Sequence, residues 1–300
     1  MVLDNMKRIS KESTLLKKAI IPVAGLGTRL LPISKSIPKE LVPVVDRPLI
    51  QHIVEEVLSS GITEIILVTR SGKSAIENHF NRLDEVESLL KEKGKNELLD
   101  RLNSSIYDEL NIVSIRQDRA LGLGHAIHCA QHLISPDENF AVILPDVLIK
   151  NRTECQSIST DLARMVEASN VTQSAQIMVH EVAPVEVEQY GIVDCKGVAL
   201  SPGESTPIYN LVEKPAQDKA PSCLSVVGRY ILPGRIMATL GKTAAGVGGE
   251  IQLTDAISSL IASGYPVDAY SMTSRVFDCG NIKGWANANY ILAKEAGLID

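Results

Sequence analysis

The chain has 300 residues, of which 45% are hydrophobic and 22% are charged. A chain of this length and composition can bury about 75% of its unfolded surface, which excludes a disordered or fibrous protein. Its 30 basic and 36 acidic residues give a net charge of −6, so there is no overall positive field for duplex nucleic acid or an anionic membrane. An anionic ligand therefore requires locally concentrated positive charge.

The cysteines and the N-terminal segment indicate a cellular compartment. The five cysteines are scattered and form no C-x-x-C pair, which favours a reducing environment without structural zinc. The N-terminal segment carries charges throughout, and no run of about 18 apolar residues occurs anywhere. We expect a cytoplasmic protein with neither a signal peptide nor a membrane span.

The first predicted elements alternate between strand and helix. After a polar extension over residues 1–16, the apolar run 18–24 predicts a buried strand that stops at a glycine turn. Residues 49–58 place apolar side chains at helical spacing and predict a helix that faces the core. The apolar run 64–69 predicts the next strand, and this order indicates a parallel sheet covered on both faces.

The same alternation continues to about residue 150. Residues 74–103 predict a helical insertion broken at Gly94, and a helix at 124–133 lies between predicted strands at 111–117 and 140–144. Beyond residue 150 the pattern predicts strands at 174–180, 190–195, 207–212 and 224–231, and helices at 159–168, 251–263 and 281–297. We expect an α/β fold with a Rossmann-like, mixed, mainly parallel sheet flanked by helices. Residues 17–300 are predicted to form one domain with two halves, 17–150 and 151–300.

A basic, glycine-containing segment directly follows the first predicted strand. The positive residues from position 17 to position 39, a stretch without any acid, are Lys17, Lys18, Arg29, Lys35 and Lys39. Gly25 and Gly27 allow main-chain N–H groups to approach a phosphate, Thr28 adds a hydroxyl donor, and Arg29 presents a planar fork for phosphate oxygens. This segment predicts the local anion site that the acidic chain requires.

Two familiar glycine loops do not match this segment. The dinucleotide fingerprint needs a glycine where Leu30 stands, and a P-loop needs Gly-Lys-Ser/Thr where Gly27 is followed by Thr28 and Arg29. The alternative is that the two glycines only make a tight turn, but the basic residues and prolines that follow favour an anion site.

Other candidate residues lie at predicted strand ends. Asp146 follows an apolar strand at the carboxyl edge, where open α/β sheets place ligands, and its carboxylate suits Mg²⁺. Gln117 and Gly122 flank a short loop in which an amide side chain can recognise the donors and acceptors of a base. Asp278 taken alone is typical of a turn.

The second half contains weaker signals. Glu213 and Lys214 end a predicted strand beside Pro215, and taken alone they are typical of a solvated ion pair. Gly191 and Gly228 allow the main chain to approach a ligand closely, but either glycine can equally mark a bulge.

The sequence motifs of these segments resemble those of one known family. The matching strings are GLGTR with IPKELVPVVDRPLIQ, GLGHA at 122–126, LPDV at 144–147, YGIVD at 190–194, VEKP at 212–215, VGRY at 227–230, EIQLTDA at 250–256 and DCGN at 278–281. Together they resemble the sugar-1-phosphate nucleotidyltransferases over residues 17–298. AGLGTR, LPDV and the helical insertion are more similar to members that use UTP and glucose 1-phosphate than to thymidylyl or adenylyl enzymes.

The resemblance implies a reaction and a set of site residues. It implies transfer of a uridylyl group from UTP to glucose 1-phosphate, with Mg²⁺ as cofactor and a homodimer or homotetramer as the assembly. It makes 17–150 the nucleotide-binding half and 151–300 the sugar-binding half. The implied residues are Arg29, Lys39 and Lys214 for catalysis; Ala24, Gly25, Gly27, Thr28, Gln117, Gly122 and Asp146 for the nucleotide; Gly191, Glu213, Lys214 and Gly228 for the sugar; and Asp146 and Asp278 for the metal.

Two alternatives remain open at this point. One is a related transferase that uses dTTP or another sugar phosphate, because loops that the sequence does not define set the selectivity. The other is an inactive regulatory paralogue, although the intact Gly27, Thr28 and Arg29 favour an enzyme.

Overall fold

A ten-stranded mixed sheet forms the centre of the computed structural model, which describes residues 16–102, 105–151 and 159–300. The strands are β1 (Lys18–Pro22), β2 (Pro43–Val44), β3 (Arg47–Pro48), β4 (Glu64–Thr69), β5 (Asn111–Arg116), β6 (Asn139–Ile143), β7 (Val147–Lys150), β8 (Ala175–Glu181), β9 (Gly191–Asp194), β10 (Ser205–Pro207), β11 (Asn210–Glu213), β12 (Leu224–Pro233), β13 (Val267–Ser271) and β14 (Arg275–Asp278).

Strand direction in the central sheet places several carboxyl ends at one edge. The main path runs β10-β13-β8-β12-β6-β1-β4-β5, and β9 pairs with both β12 and β11. Six of the eight strands on that path run in one direction, and β10 and β12 run against them. The carboxyl ends of β1, β4, β5 and β6 therefore meet, and ligands of open α/β sheets bind at this edge.

Helices cover both faces of the sheet. The α-helices of the described residues are α1 (Leu49–Ser59), α2 (Ser74–Asn78), α3 (Asp84–Glu92), α4 (Asn96–Leu102), α5 (Leu123–Cys129), α6 (Asp161–Thr172), α7 (Ile236–Leu240), α8 (Leu253–Ala262) and α9 (Ile282–Glu295). The apolar sides of α5, α7 and α8 pack in one core cluster, whereas α1 and α6 pack in a second cluster on the other face. A third, smaller core joins α9 to the two-stranded sheet of β7 and β14.

Most predicted elements are present, and the predicted fold class is confirmed. The continuous apolar runs of β1, β4 and β6 are central strands, as their composition indicates. The single strand predicted over 207–212 was wrong. The chain forms β10, which pairs with β13, and β11, which pairs with β9. It changes partner strand after Ile208, whose N–H donates to the Val267 carbonyl, because the next N–H, of Tyr209, donates to the Asp194 carbonyl.

The insertion and the N-terminal extension need separate comment. The predicted insertion over 74–103 contains the short helices α2, α3 and α4, with a turn at Gly94, and residue 103 lies outside the described ranges. The predicted extension also lies outside them except for Leu16, which is buried in the core cluster beneath α1. The four described cysteines are free thiols, and Cys155 is outside the described residues. No helix within the described ranges has the length and apolarity to cross a membrane.

Candidate active site

The loop after β1 is folded tightly over Lys39. Gly27 has a left-handed φ of +70°, and a Cβ atom there would lie 3.1 Å from the Ser34 Cβ and 3.2 Å from the Lys39 Cβ. The Ser34 hydroxyl donates to the Gly27 carbonyl at 2.7 Å and closes the loop. Glycine is therefore favoured here both by conformation and by space. Ala24 is buried at the base of this loop, while Gly25 and Thr28 are exposed.

Two basic side chains of this segment neutralise Asp146. The Lys39 Nζ atom donates to Asp146 Oδ2 at 2.6 Å, and the Arg29 Nη2 atom lies 3.7 Å from the same oxygen. Burial alone would raise the pKa of Asp146, but the charges of Lys39 and Arg29 hold that pKa below its usual value. Burial likewise would lower the pKa of Lys39, but Asp146 raises it above its usual value. The pair is therefore ionised at neutral pH.

Asp278 reaches the same place through strand pairing. β14 ends at Asp278 and pairs antiparallel with β7, so Asp278 lies opposite Val147, the residue after Asp146. The Cys279 N–H donates to the main-chain carbonyl of Asp146 at 2.8 Å. The Arg29 Nη1 atom lies 3.6 Å from Asp278 Oδ2, so one guanidinium group bridges the two carboxylates.

Gly280 keeps the space between these side chains open. A Cβ atom at this position would lie 2.9 Å from Asp146 Oδ2, 3.0 Å from Asp278 Oδ1 and 2.8 Å from Arg29 Nη2. The Gly280 N–H donates to Asp278 Oδ1 at 2.9 Å and fixes that carboxylate. Gly280 is absent from the residues predicted above, because Asp-x-Gly is a common turn sequence. Its place in the DCGN string is the only sequence signal for it.

The two carboxylates suit a hard divalent cation. Mg²⁺ prefers oxygen ligands and is commonly held by one or two carboxylates together with substrate phosphates and water. Asp146 and Asp278 border the space that Gly280 leaves open. Within the described ranges, no group of three or more His, Cys, Asp and Glu side chains is arranged to hold a metal. A cation between these two aspartates would therefore share its coordination with a substrate.

Asp161 anchors the segment that leads into β14. Its carboxylate accepts hydrogen bonds from the Thr273 hydroxyl at 2.8 Å, the Ser274 N–H at 2.9 Å and the Tyr270 hydroxyl at 2.9 Å. Burial would raise the pKa of Asp161, but the hydrogen bonds from Ser274 and Thr273 hold it below its usual value. This buried carboxylate thereby sets where β14 begins and where Asp278 arrives.

A buried ion pair supports the loop from below. The Glu40 carboxylate is fully buried and accepts from Lys73 Nζ at 2.9 and 2.8 Å. Lys73 Nζ also donates to the carbonyl of Val23, the residue directly after β1. Burial raises the pKa of Glu40 and lowers the pKa of Lys73, and their mutual attraction opposes both shifts. Neither residue was predicted, because charged residues in a sequence are usually solvated.

Two of the five basic residues predicted at the anion site lie elsewhere. Lys18 is the first residue of β1 and Lys17 precedes it, about 13 Å of extended chain from the loop at the end of that strand. Lys18 Nζ donates to Glu138 Oε1 and to the Leu133 carbonyl, each at 2.9 Å. Their assignment to the anion site was wrong, because a strand carries its two ends to opposite edges of the sheet.

Gln117 follows β5 at the same edge. Its Nε2 atom donates to the Gly122 carbonyl at 3.2 Å and lies 3.0 Å from His125 Nδ1. With the NH₂ group directed inward, Oε1 is the atom that can accept a hydrogen bond from a ligand. A Cβ atom on Gly122 would lie 2.6 Å from the Glu250 Cβ, so this loop packs against the EIQLTDA segment.

Glu213 and Lys214 stand beside Gly191 across a strand pair. Glu213 pairs with Gly191 in the β11 and β9 ladder, and its Oε2 atom would be 3.3 Å from a Cβ atom there. Lys214 has a left-handed φ of +46°, which is strained for a non-glycine residue and is typical of functional positions. Its N–H donates to the Tyr190 carbonyl at 3.0 Å, and its Nζ atom lies 3.9 Å from Glu213 Oε1.

Tyr190 connects this pair to the aspartates. Burial and then the negative charge of Asp278 raise the pKa of the Tyr190 hydroxyl, while the Arg29 charge opposes that shift. The Tyr190 hydroxyl is therefore influenced by the Asp278 charge, while the Tyr190 carbonyl accepts a hydrogen bond from the Lys214 N–H.

Gly228 lies at a bulge in β12. Its φ is +85°, and a Cβ atom there would lie 2.8 to 2.9 Å from side-chain atoms of Leu144. Its carbonyl accepts from the Leu144 N–H at 2.9 Å, two residues before Asp146. Within the described residues, its main contact is thus with the LPDV segment.

Comparison with known proteins places this arrangement in a class. A basic glycine loop that faces two carboxylates at the carboxyl edge of an α/β sheet is typical of proteins that bind nucleotide phosphates together with a divalent cation. The Nucleotidyl transferase family description matches residues 18–295. The chain belongs to that family, which confirms the resemblance found in its sequence.

Individual relatives are similar over nearly the whole chain. A UTP–glucose-1-phosphate uridylyltransferase of Escherichia coli K12 is 50% identical over 276 residues, covering 92% of this chain and 90% of the relative. The solved structure of a UTP-bound UGPase from Acinetobacter baumannii is 47% identical with a TM-score of 0.85, covering 93% and 94% of the two chains. A UDP-glucose pyrophosphorylase complexed with UDP-glucose is 36% identical with a TM-score of 0.80, covering 93% and 99%.

Proposed function

We propose that this protein transfers the uridylyl group of UTP to α-D-glucose 1-phosphate, giving UDP-glucose and pyrophosphate. One observation carries the proposal: Arg29 and Lys39 meet Asp146 and Asp278 at one sheet edge. They do so in a chain half identical to uridylyltransferases for that sugar phosphate.

The reaction needs no enzyme nucleophile. The attacking atom is a phosphate oxygen of glucose 1-phosphate, whose second pKa is near 6, so the substrate is already a dianion at pH 7. The chain must instead align two anions and neutralise charge on the α-phosphate and the leaving pyrophosphate.

The loop after β1 binds the triphosphate in this proposal. The main chain at Gly25, Gly27 and Thr28 approaches the phosphates, and the exposed Arg29 guanidinium binds the leaving pyrophosphate. Lys39 keeps its charge beside Asp146 and stabilises the developing charge on the α-phosphate.

Asp146 and Asp278 would hold Mg²⁺, for which the space beside Gly280 is suited. When bound, the cation neutralises triphosphate charge and polarises the phosphoryl group under attack. Arg29 already lies between the two carboxylates, so its guanidinium must move towards the phosphates when nucleotide binds.

The uracil ring and the sugar phosphate bind to different structural elements in this proposal. Gln117 Oε1, with main-chain groups of Gly122 and of Ala24 and Gly25, binds the uracil ring. Glu213 accepts hydrogen bonds from glucose hydroxyls, and Lys214 holds the attacking phosphate. The main chain at Gly191 and Gly228 lies beside the sugar.

We also propose an assembly and a location. The protein acts in the cytoplasm as a homodimer or homotetramer, on UTP and glucose 1-phosphate. Its net charge of −6 disfavours nucleic acid and anionic membranes as partners.

Pyrophosphate release tests the function directly. Each nucleoside triphosphate is supplied with glucose 1-phosphate and Mg²⁺, and reactions without the sugar phosphate measure background hydrolysis. Release with UTP at least tenfold faster than with dTTP supports the proposal. Preference for dTTP identifies a related transferase, and inactivity with every nucleotide identifies a regulatory paralogue.

A further inference from the structure

A buried arginine lies behind the Asp146 segment. Arg229 lies in β12, and its side chain is fully buried. Its Nε and Nη2 atoms donate to the two oxygens of Glu56, in α1, at 2.9 and 2.7 Å. Neither residue belongs to the substrate contacts described above.

The same guanidinium holds the main chain on both sides of Asp146. Arg229 Nη1 donates to the Leu144 carbonyl at 3.1 Å, and Nη2 donates to the Val147 carbonyl at 2.8 Å. Leu144 precedes Asp146 by two residues and Val147 follows it directly. One rigid planar group therefore fixes the segment from which the Asp146 carboxylate projects.

Burial of this ion pair is not explained by stability alone. Taking two charges out of water carries a large desolvation penalty. Replacing a buried ion pair by apolar residues of similar volume often leaves a protein equally stable or makes it more stable. Apolar side chains, however, cannot donate to two carbonyls at fixed angles, and lysine has a single point charge without the planar fork. The arrangement is therefore suited to orienting the main chain of residues 144–147.

We propose that Arg229, itself held by Glu56, is a positioning residue that orients Asp146 for Mg²⁺ and, only through that ion, for the triphosphate. This inference rests on the proposed function. Arg229 acts through the main chain of residues 144–147 and contacts neither substrate nor metal.

The test uses Arg229→Lys and Glu56→Gln in the full-length protein. Arg47→Lys is the matched control, because Arg47 forms an ion pair at 3.0 Å with Glu55, which lies in α1 beside Glu56. Thermal unfolding followed by circular dichroism establishes that each variant is folded. If one Arg229 or Glu56 variant fails to fold, the other decides.

Two measurements distinguish positioning from support of the fold. The Mg²⁺ concentration for half-maximal pyrophosphate release should rise about tenfold or more in Arg229→Lys, the scale found when groups behind metal ligands are lost. In titration calorimetry, UTP affinity in EDTA should stay within twofold of wild type, while the gain in affinity on adding Mg²⁺ should shrink by a similar factor.

The proposal is overturned if a folded Arg229→Lys or Glu56→Gln keeps the wild-type Mg²⁺ requirement. It is also overturned if Arg47→Lys changes that requirement equally, or if the effects of Arg229→Lys and Asp146→Asn are additive, since coupled residues act non-additively. Inactivity of the wild type with UTP refutes the proposed function instead, so the two failures are distinguishable.

Discussion

Gly280→Ala introduces one methyl group at the centre of the site. The new Cβ atom would lie 2.9 Å from Asp146 Oδ2 and 3.0 Å from Asp278 Oδ1, against about 3.4 Å for an ordinary close contact. Relief requires shifts of about half an ångström, but Lys39 holds the Asp146 carboxylate and the Cys279 N–H holds its main-chain carbonyl. A misplacement of about 1 Å can reduce rate by about 100-fold, so we expect about a tenfold loss in kcat.

Stability should change far less than activity. Gly280 does not have a left-handed φ, and alanine there reduces the entropy of the unfolded chain, so the free energy of unfolding should stay within about 1 kcal/mol. Steady-state pyrophosphate release at varied Mg²⁺ measures kcat and the metal requirement, and urea unfolding measures stability.

Gly241→Ala is the control for this variant. Its Cβ atom would lie 2.9 Å from His128 Nε2, the far end of a side chain outside the carboxylate cluster, and the φ of −64° accommodates alanine. Unchanged kcat and Mg²⁺ requirement in a folded Gly280→Ala protein would refute the reasoning, as would an equal loss in Gly241→Ala.

Three further changes test separate parts of the site. Arg29→Ala should lower kcat about 100-fold with partial recovery in Arg29→Lys. The comparable exposed arginine variant Arg82→Ala should retain wild-type kcat. Glu213→Ala should raise the KM for glucose 1-phosphate and leave the calorimetric Kd for UTP within about threefold. Gln117→Ala should raise the Kd for UTP and leave the KM for glucose 1-phosphate within about threefold. A Glu213→Ala variant that loses UTP affinity, or a Gln117→Ala variant that changes only the KM for the sugar phosphate, contradicts the division of the site. The folded-state pKa of Asp161 is depressed, so its stabilisation is present above the usual pKa of 3.8 and is lost as pH falls through the folded value. Urea unfolding should therefore show Asp161→Asn about 2 kcal/mol less stable than wild type at pH 7 and a smaller difference at pH 3, and equal differences at both pH values would exclude this role.

The local features of the fold were predictable from the sequence. The apolar runs of β1, β4 and β6 are long enough to identify central strands, and the Gly25 to Arg29 loop follows directly from the end of one of them. Asp146 was predictable for the same reason, because a polar residue after a buried strand lies at the ligand-binding edge. The predicted roles of these residues in catalysis and binding stay predictions.

Contacts between distant residues were not predictable in this way. The Glu40–Lys73 pair supports the loop, and the Arg229–Glu56 pair, whose members are 173 positions apart, fixes the Asp146 segment. In a sequence these residues look like solvated surface charges, because only the tertiary fold buries them. The wrong assignment of Lys18 to the anion site has the same origin. The positions of charged residues along a chain do not reveal at which edge of the sheet each side chain lies.

Asp146 lies where two structural units join. β6, which precedes Asp146, belongs to the ten-stranded sheet, whereas β7, which follows Asp146, belongs to the small core of Leu148, Phe277 and α9. Arg29 and Lys39 belong to the loop anchored on the large sheet, and Asp278 belongs to the small core. Small packed units open at lower free energy than a whole domain. Local opening of this unit would separate the two aspartates while the central sheet stayed intact, so the candidate site can be lost without unfolding of the ten-stranded sheet.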